Sequence, residues 1–305
     1  MRPATARHCQ QGVAVVTALL LTTLAVTIVA SLFWRQQIQV RAIENQRLQL
    51  QKQLALRGAL DWAQLMLRDD ARQSATDDLS ELWNAPLAGV QLDAFLDRDI
   101  EQANLGDATL SGTLSDAQAR FNLRNLAHEG KANTAEVRVF QRLLILLRQD
   151  PALAMAAARF IASSQQAQAP PMLDLVYVED LLTIPGFSEA TITALRRYVV
   201  ILPRATGINV NTAPAEVLAA RLDTLNSSDI TALVASRRIA SFRDLNDFAT
   251  RLPNRQITLT EGAVSVSTDY FLVNGAVTID HAALQIQGLI ERSGPNTRMV
   301  WVRER

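Results

Sequence analysis

The side chains able to do covalent or metal chemistry are few and scattered. The three histidines, His8, His128 and His281, share no metal-ligand spacing. Cys9 is the only cysteine, so no disulfide framework is on offer. No G-x-S-x-G marks a serine nucleophile, and no Gly-rich loop is built to cradle phosphate. The chain reads as a protein that is not an enzyme. Carboxylates recur from Asp69 to Glu101, as Asp69-Asp70, Asp77-Asp78, Glu81 and Asp97-Arg98-Asp99-Ile100-Glu101. Alternating carboxylates are the ligands of a hard cation such as Ca²⁺. They lack EF-hand spacing, and a solvated acidic surface is the favoured reading.

Two further stretches carry chemistry of other kinds. Gly12 stands directly before Val13–Phe33, 21 residues without a charge, so a peptidase cutting after Gly12 would leave an intact apolar helix with a new amine at Val13. Leu181-Leu182-Thr183-Ile184-Pro185-Gly186-Phe187-Ser188-Glu189-Ala190, followed by Arg196 and Arg197, looks like a helix-hairpin-helix, whose Pro-Gly turn presents backbone N–H groups to a nucleic-acid phosphate. A second helix pair with Arg237, Arg238 and Arg243 repeats the theme loosely. Charge argues against DNA: residues 126–254 hold 13 Lys/Arg and 12 Asp/Glu, where a phosphate binder is clearly basic. Ser188 also stands where the hairpin usually has its second Gly. The turn is better read as a device for packing two helices, and a membrane-tethered DNA binder is kept as the alternative.

The elements that must position these residues begin with the apolar run. It is long enough to cross about 30 Å of hydrocarbon as a helix. The basic leader before it, with Arg2 and Arg7, predicts a cytoplasmic N-terminus and the remainder on the far side, although Arg35 and Arg41 reduce the contrast. No Pro interrupts the pattern from Val13 to about Arg72, and apolar residues recur at three- and four-residue steps from Ile38 to Met66. One helix of nearly sixty residues, roughly 85–90 Å, is expected, half in a membrane or fibre core and half under a globular head. Gly58 is its weak point.

Strands are expected from Ala108–Leu114, then a turn at Ser115–Gln118 and a returning strand at Ala119–Leu123. Helices are expected at Thr134–Arg148, from Asp150-Pro151 to Ala162, and at Val178–Leu182, Glu189–Val199, Pro214–Leu222, Ser228–Ser236 and Phe242–Arg251. Asn211 or Thr212 is placed to cap the helix after Pro214. Strands resume at Ile257–Thr260, Ala263–Ser267, Phe271–Ile279, His281–Glu291 and Met299–Arg303, and the last four suit a small antiparallel sheet on the long helix. Lys plus Arg equals Asp plus Glu, 30 each, so no bulk field draws an anionic partner.

Gln10-Gln11-Gly12 followed by Val13-Ala14-Val15-Val16-Thr17 resembles a type IV prepilin leader junction. Asp116-Ala117-Gln118-Ala119-Arg120-Phe121-Asn122-Leu123-Arg124-Asn125-Leu126 and Gly207-Ile208-Asn209-Val210-Asn211-Thr212-Ala213-Pro214-Ala215-Glu216-Val217-Leu218 are similar to hallmarks of the K-type minor pseudopilins of the type II secretion system. The resemblance implies an α+β fold: a long N-terminal transmembrane helix and a pilin-like head with a small antiparallel sheet, interrupted by an all-α, helix-hairpin-helix or SAM-like insertion. It divides the chain into a leader (1–12), a transmembrane helix (13–33), the first part of the head (34–125), the insertion (126–254) and the second part of the head (255–305). It implies that prepilin peptidase cuts after Gly12 and methylates Val13, leaving a mature chain without cysteine. Thr17 replaces the Glu usual at the fifth mature position, which the family explanation links to the tip of the pseudopilus. Leu19, Leu20, Leu21, Leu24 and Ile28 would be among the contacts to neighbouring helices. Partners implied are I-type and J-type minor pseudopilins, the major pseudopilin and the inner membrane, with a cytoplasmic leader, a periplasmic head and no nucleic acid. Members of the family can bind Ca²⁺; no ligand set aligns here.

Overall fold

The computed structural model describes residues 11–91, 109–166, 174–253, 260, 262–279 and 282–304. The leader up to Gln10, the acidic run Asp97–Glu101, the expected strand at Ile257–Leu259 and His281 lie outside the described residues. The chain forms two compact units, Met1–Leu54 and Ala55–Arg305. A single helix, α1 (Gln11–Gln73), contributes to both. In the first unit its apolar side chains are exposed, Leu20, Leu21 and Phe33 each by more than half. This is the one helix among the described residues that is long and apolar enough to cross a membrane.

The second unit is built on a five-stranded antiparallel sheet. Its strands are β1 (Leu87–Gln91), β2 (Thr109–Asp116), β9 (Tyr270–Ile279), β10 (Ala282–Ser293) and β11 (Asn296–Glu304), lying side by side in that order. Six short strands make three further pairs: β3 (Phe121–Asn122) with β6 (Val199–Val200), β4 (Ala127–His128) with β5 (Lys131–Ala132), and β7 (Ile208–Asn209) with β8 (Val264–Ser265). On one face of the sheet lies the last part of α1. Leu56, Leu60, Ala63 and Leu67 make one buried stripe at steps of four, three and four, the geometry of a helix face. Gly275 and Gly288 lie under this stripe, where a Cβ would make ordinary contact with Leu56 or Leu60 at 3.7 Å. Trp83 closes this side, edge-on to Phe271 at 5.2 Å.

Neighbours in the sheet are far apart in sequence. Asp116 at the end of β2 faces Phe271 near the start of β9, and the helical insertion runs between them. It holds α2 (Thr134–Leu146), α3 (Ala152–Ser164), α4 (Glu189–Leu195), α5 (Ala215–Arg221), α6 (Ser227–Ile239) and α7 (Leu245–Arg251) around their own core, centred on Phe121, Phe140, Leu143 and Leu144. Asn133, Ser188, Asn226 and Asp244 cap α2, α4, α6 and α7 with side-chain oxygens.

Several expectations are corrected. Ala119–Leu123 does not return along β2: only Phe121–Asn122 is strand, and it pairs in parallel with Val199–Val200, because the chain is already leaving the sheet for the insertion. Glu189–Val199 is a helix only to Leu195, and Val178–Thr183 is a 3₁₀ helix. Ala263–Ser267 contributes Val264–Ser265 to a parallel pair with Ile208–Asn209 and not to the antiparallel sheet. β1 falls in the stretch read as a solvated acidic surface, for which no strand is expected. Neither Asn211 nor Thr212 caps α5, whose cap residue is Pro214; both are engaged elsewhere.

Leu67 is fully buried under the sheet while Leu65 is exposed. Leu67→Ala is expected to destabilise the head by about 2–5 kcal/mol, and Leu65→Ala by well under about 1 kcal/mol. Denaturant melts of the detergent-solubilised chain check this; equal effects would mean that the stripe is misplaced.

Candidate functional site

The residues marked at the N-terminus lie in the first unit. Gly12 and Val13 belong to the first turns of α1. The Thr17 hydroxyl donates to the carbonyls of Val13 and Ala14, both at 3.0 Å. Its one proton is therefore satisfied inside its own helix, and no charge is placed in the apolar run.

In the second unit, the two stretches at 116–126 and 207–218 prove to be halves of one buried polar junction. Asp116 is wholly enclosed, and its carboxylate accepts from the Gln118 N–H at 2.7 Å, the Asn209 amide at 2.8 Å and the Thr212 hydroxyl at 2.5 Å. The Asn209 amide also donates to the Asp77 carbonyl at 3.0 Å, and its side-chain oxygen accepts from the Asn211 N–H. Gln118 reaches both flanks, accepting from the Asp269 N–H at 2.7 Å while its own carbonyl accepts from the Asn209 N–H. Asn122 donates to the Arg204 carbonyl and accepts from the Leu202 N–H; Asn125 and Thr206 exchange a pair of bonds. Asn211 pairs twice with the Phe242 backbone, which pins α7 to the same loop. Gly207 leaves no room for a side chain, because a Cβ there would stand 2.7 Å from the Gly262 carbonyl oxygen.

Beside this junction Asp70, Asp77 and Glu81 bring carboxylate oxygens within 4.8 Å of one another. Arg292 already serves two of them. Its guanidinium donates to Asp70 at 2.7 Å, to Asp77 at 2.6 Å and to the Thr268 carbonyl, and lies 4.7 Å from the Phe271 ring centroid. Glu81 accepts from the Trp83 indole at 2.5 Å. As a Ca²⁺ site the triad does not fit as arranged, since the guanidinium occupies oxygens of Asp70 and Asp77 that a cation would need. Burial lifts the Asp70 and Asp77 carboxyls above their ordinary range despite Arg292. Burial, reinforced by Asp70, pushes Glu81 up to about 7 against the pull of the Trp83 bond. Burial pushes Asp116 up to about 6, against the pull of its hydroxyl and amide donors.

The hairpin turn is a packing device. Gly186 adopts φ +99°, and a Cβ there would press on Leu153 of α3 at 3.0 Å. Arg196 pairs with Glu179 at 3.1 Å. Arg237 donates to the Val210 carbonyl at 2.7 Å, and Arg243 lies 3.8 Å from Asp247. His128 is exposed beside Glu129, and no described histidine joins a ligand cluster.

The Asp116 shift has a definite sign. A carboxyl raised from an ordinary value near 4 to about 6 contributes stability that is full below pH 4 and is lost as the pH rises through 6. For this enclosed group that is about 3 kcal/mol between pH 4 and 7. Melts of the full chain in nonionic detergent across that range are expected to show this decline in wild type and to lack that part of it in Asp116→Asn. An unchanged slope in the variant would remove Asp116 as its source.

Comparison with known proteins follows the same two stretches. Family models described as type II secretion system (T2SS), protein K match residues 119–204 and 208–267. The type II secretion system protein K of Pseudomonas aeruginosa is 25% identical over 324 aligned positions, covering 98% of this chain and 93% of that one. The Klebsiella pneumoniae protein K is 24% identical, covering 94% of each. A chain in the crystal structure of the GspK–GspI–GspJ complex from enterotoxigenic Escherichia coli shares the fold at a TM-score of 0.65 and 20% identity, over 86% of this chain and 99% of that chain. The helix α1 fits anchoring in the inner membrane, and a DNA-binding reading finds no support. With most of each hallmark stretch inside the matched regions and nearly the whole chain aligned to its relatives, sequence and fold together support a K-type minor pseudopilin of the type II secretion system.

Proposed function

We propose that this minor pseudopilin occupies the tip of the pseudopilus and helps to start its assembly. The observation that carries the reading is the insertion between hydrogen-bonded neighbours β2 and β9. A repeating position along a fibre must be stacked above and below by like subunits, and a second helical core of this size leaves little room for that. Thr17 agrees with it. A carboxylate in the apolar helix is costly unless paired, and the family assigns that pairing to the amine of the next subunit. A subunit whose hydroxyl is spent on its own helix makes no such demand and suits the first position.

Prepilin peptidase is the processing enzyme in this reading, cutting after Gly12 and methylating Val13. The leader is cytoplasmic and the head periplasmic. Partners are the I-type and J-type minor pseudopilins, supported by the likeness to a chain of the GspK–GspI–GspJ complex, and the helix residues Leu19, Leu20, Leu21, Leu24 and Ile28 contact them. The role is assembly rather than catalysis.

In cells bearing the peptidase and the other pseudopilins, mass spectrometry is expected to find an N-terminus at methylated Val13, with Gly12→Ala unprocessed. An intact Met1, or a cut near Ser31, would overturn the processing pathway. Thr17→Glu introduces an unmatched carboxylate, worth up to about 3 kcal/mol in lipid. It is expected to lower secretion of a reporter several-fold while Thr17→Val does not. Wild-type secretion by Thr17→Glu would sink the tip argument.

A further inference from the structure

A cleft of about 230 Å³ lies in the second unit between the insertion and the face of the sheet turned away from α1. Its floor follows from strand register. Asn274, Gln287 and Arg303 form one cross-strand row, with Leu272 and Trp301 in the next, and period-2 alternation turns both rows the same way. Its walls carry the 3₁₀ helix at Val178–Thr183 and the turn after α4.

Among the described residues, four arginines and one carboxylate line this space. Glu179 is the carboxylate, and it is engaged by Arg196 at 3.1 Å and Arg303 at 2.9 Å. Arg303 also donates to Gln287 at 2.6 Å and lies 4.3 Å from the centroid of the Tyr177 ring, so it is fixed in place. Arg120 and Arg197 are different. Among the described residues neither has a hydrogen-bond acceptor or a carboxylate within pairing distance. Arg120 is half-buried, and burial lowers its pKa, with Arg197 adding repulsion; the carboxylate that acts on it, Asp116, is already committed to Gln118, Asn209 and Thr212. Arg197 is exposed and Arg120 partly so, which leaves two like charges at the cleft without an acceptor, and an oxyanion between them would supply charge-assisted hydrogen bonds to both. The surroundings are not those of a bare anion site. Val176, Leu272 and Trp301 make an apolar wall beside the arginines.

We infer that this cleft binds an acidic peptide segment of a partner protein, with Arg120 and Arg197 holding a carboxylate and the Trp301 side holding the neighbouring apolar residue. The assignment rests on the cleft alone and is independent of where the subunit sits in a fibre.

The test uses the full chain in nonionic detergent and a fluorescein-labelled hexapeptide of alternating Glu and Leu, read by anisotropy. The Gln-for-Glu peptide, inorganic phosphate and citrate are the other probes. The Glu peptide is expected to bind about 10-fold or more tightly than the Gln peptide, as the loss of a charge-assisted pair implies. Arg120→Gln and Arg197→Gln are each expected to weaken it by about 10-fold or more, and salt raised from about 50 to about 500 mM weakens it further. Arg197 is exposed, so its variant keeps the test open if Arg120→Gln does not fold. Arg159→Gln, the same charge change at an exposed position outside the cleft, leaves binding within about 2-fold. Wild-type binding by Arg197→Gln, equal binding of the Gln peptide, or binding of phosphate or citrate without the Glu peptide would each overturn the assignment.

Discussion

Enclosing the carboxylate of Asp116 imposes a demand that the rest of the head is arranged to meet. A buried carboxylate needs donors on every open side, and here they come from the strand's own exit (Gln118) and from a loop about ninety residues on (Asn209 and Thr212). Those donors cannot be supplied unless the insertion has folded and returned its loop to the end of β2. The bond from Asn209 to the Asp77 carbonyl then draws in the segment that follows α1. Three parts of the chain remote in sequence are joined at one amide. The arrangement leaves the insertion attached as a folded body, with bonds from its loop at 204–212 as well as two covalent connections.

Arg292 solves a related problem. Asp70 at the end of α1 and Asp77 beyond it lie close enough to repel, and the guanidinium from β10 stands between them with its flat face on Phe271. Planarity matters: one edge serves two carboxylates and a carbonyl while the face covers an aromatic ring, which an ammonium cannot do. Carboxylates that the sequence reads as a solvated acidic surface are therefore part of a latch between helix and sheet.

How much of this was legible depends on the range of the interaction. The long helix follows from a period that persists without Pro for sixty residues, and β9 to β11 follow from alternation over long strands, as do α2 and α3 from their apolar steps. The short elements are different. Phe121–Asn122 and Val199–Val200 are two residues each and are strands only because they meet; nothing local distinguishes them from turn or helix end. Asn211 and Thr212 have the composition of caps, and the tertiary bonds to Phe242 and Asp116 take precedence over that local use. Both hallmark stretches were visible as strings of Asn, Thr, Gln and Asp, but that one string supplies the donors to the other was not, because a pairing across ninety residues leaves no periodic trace. Nothing in the sequence around Arg120 marks it for a role. Its neighbours in the cleft come from the turn after α4 and from β11, and only the fold brings them together.

The division of labour along α1 has a simple physical origin. Val13 to Phe33 is apolar on all sides, as a helix surrounded by lipid or by other apolar helices requires. From Leu56 to Leu67 the apolar residues retreat to one stripe, as a helix with water on one side and a sheet on the other requires. Between these stretches Gln and Arg are interleaved with Ile38, Val40, Ile43 and Leu50, which remain exposed in the isolated subunit. An amphipathic segment with no described partner for its apolar side is costly to leave in water. For a pseudopilin whose first residues are held in a membrane, that exposed side is what neighbouring subunits would cover as assembly begins. In the proposed assembly, burial withheld in the monomer would become driving force for the fibre.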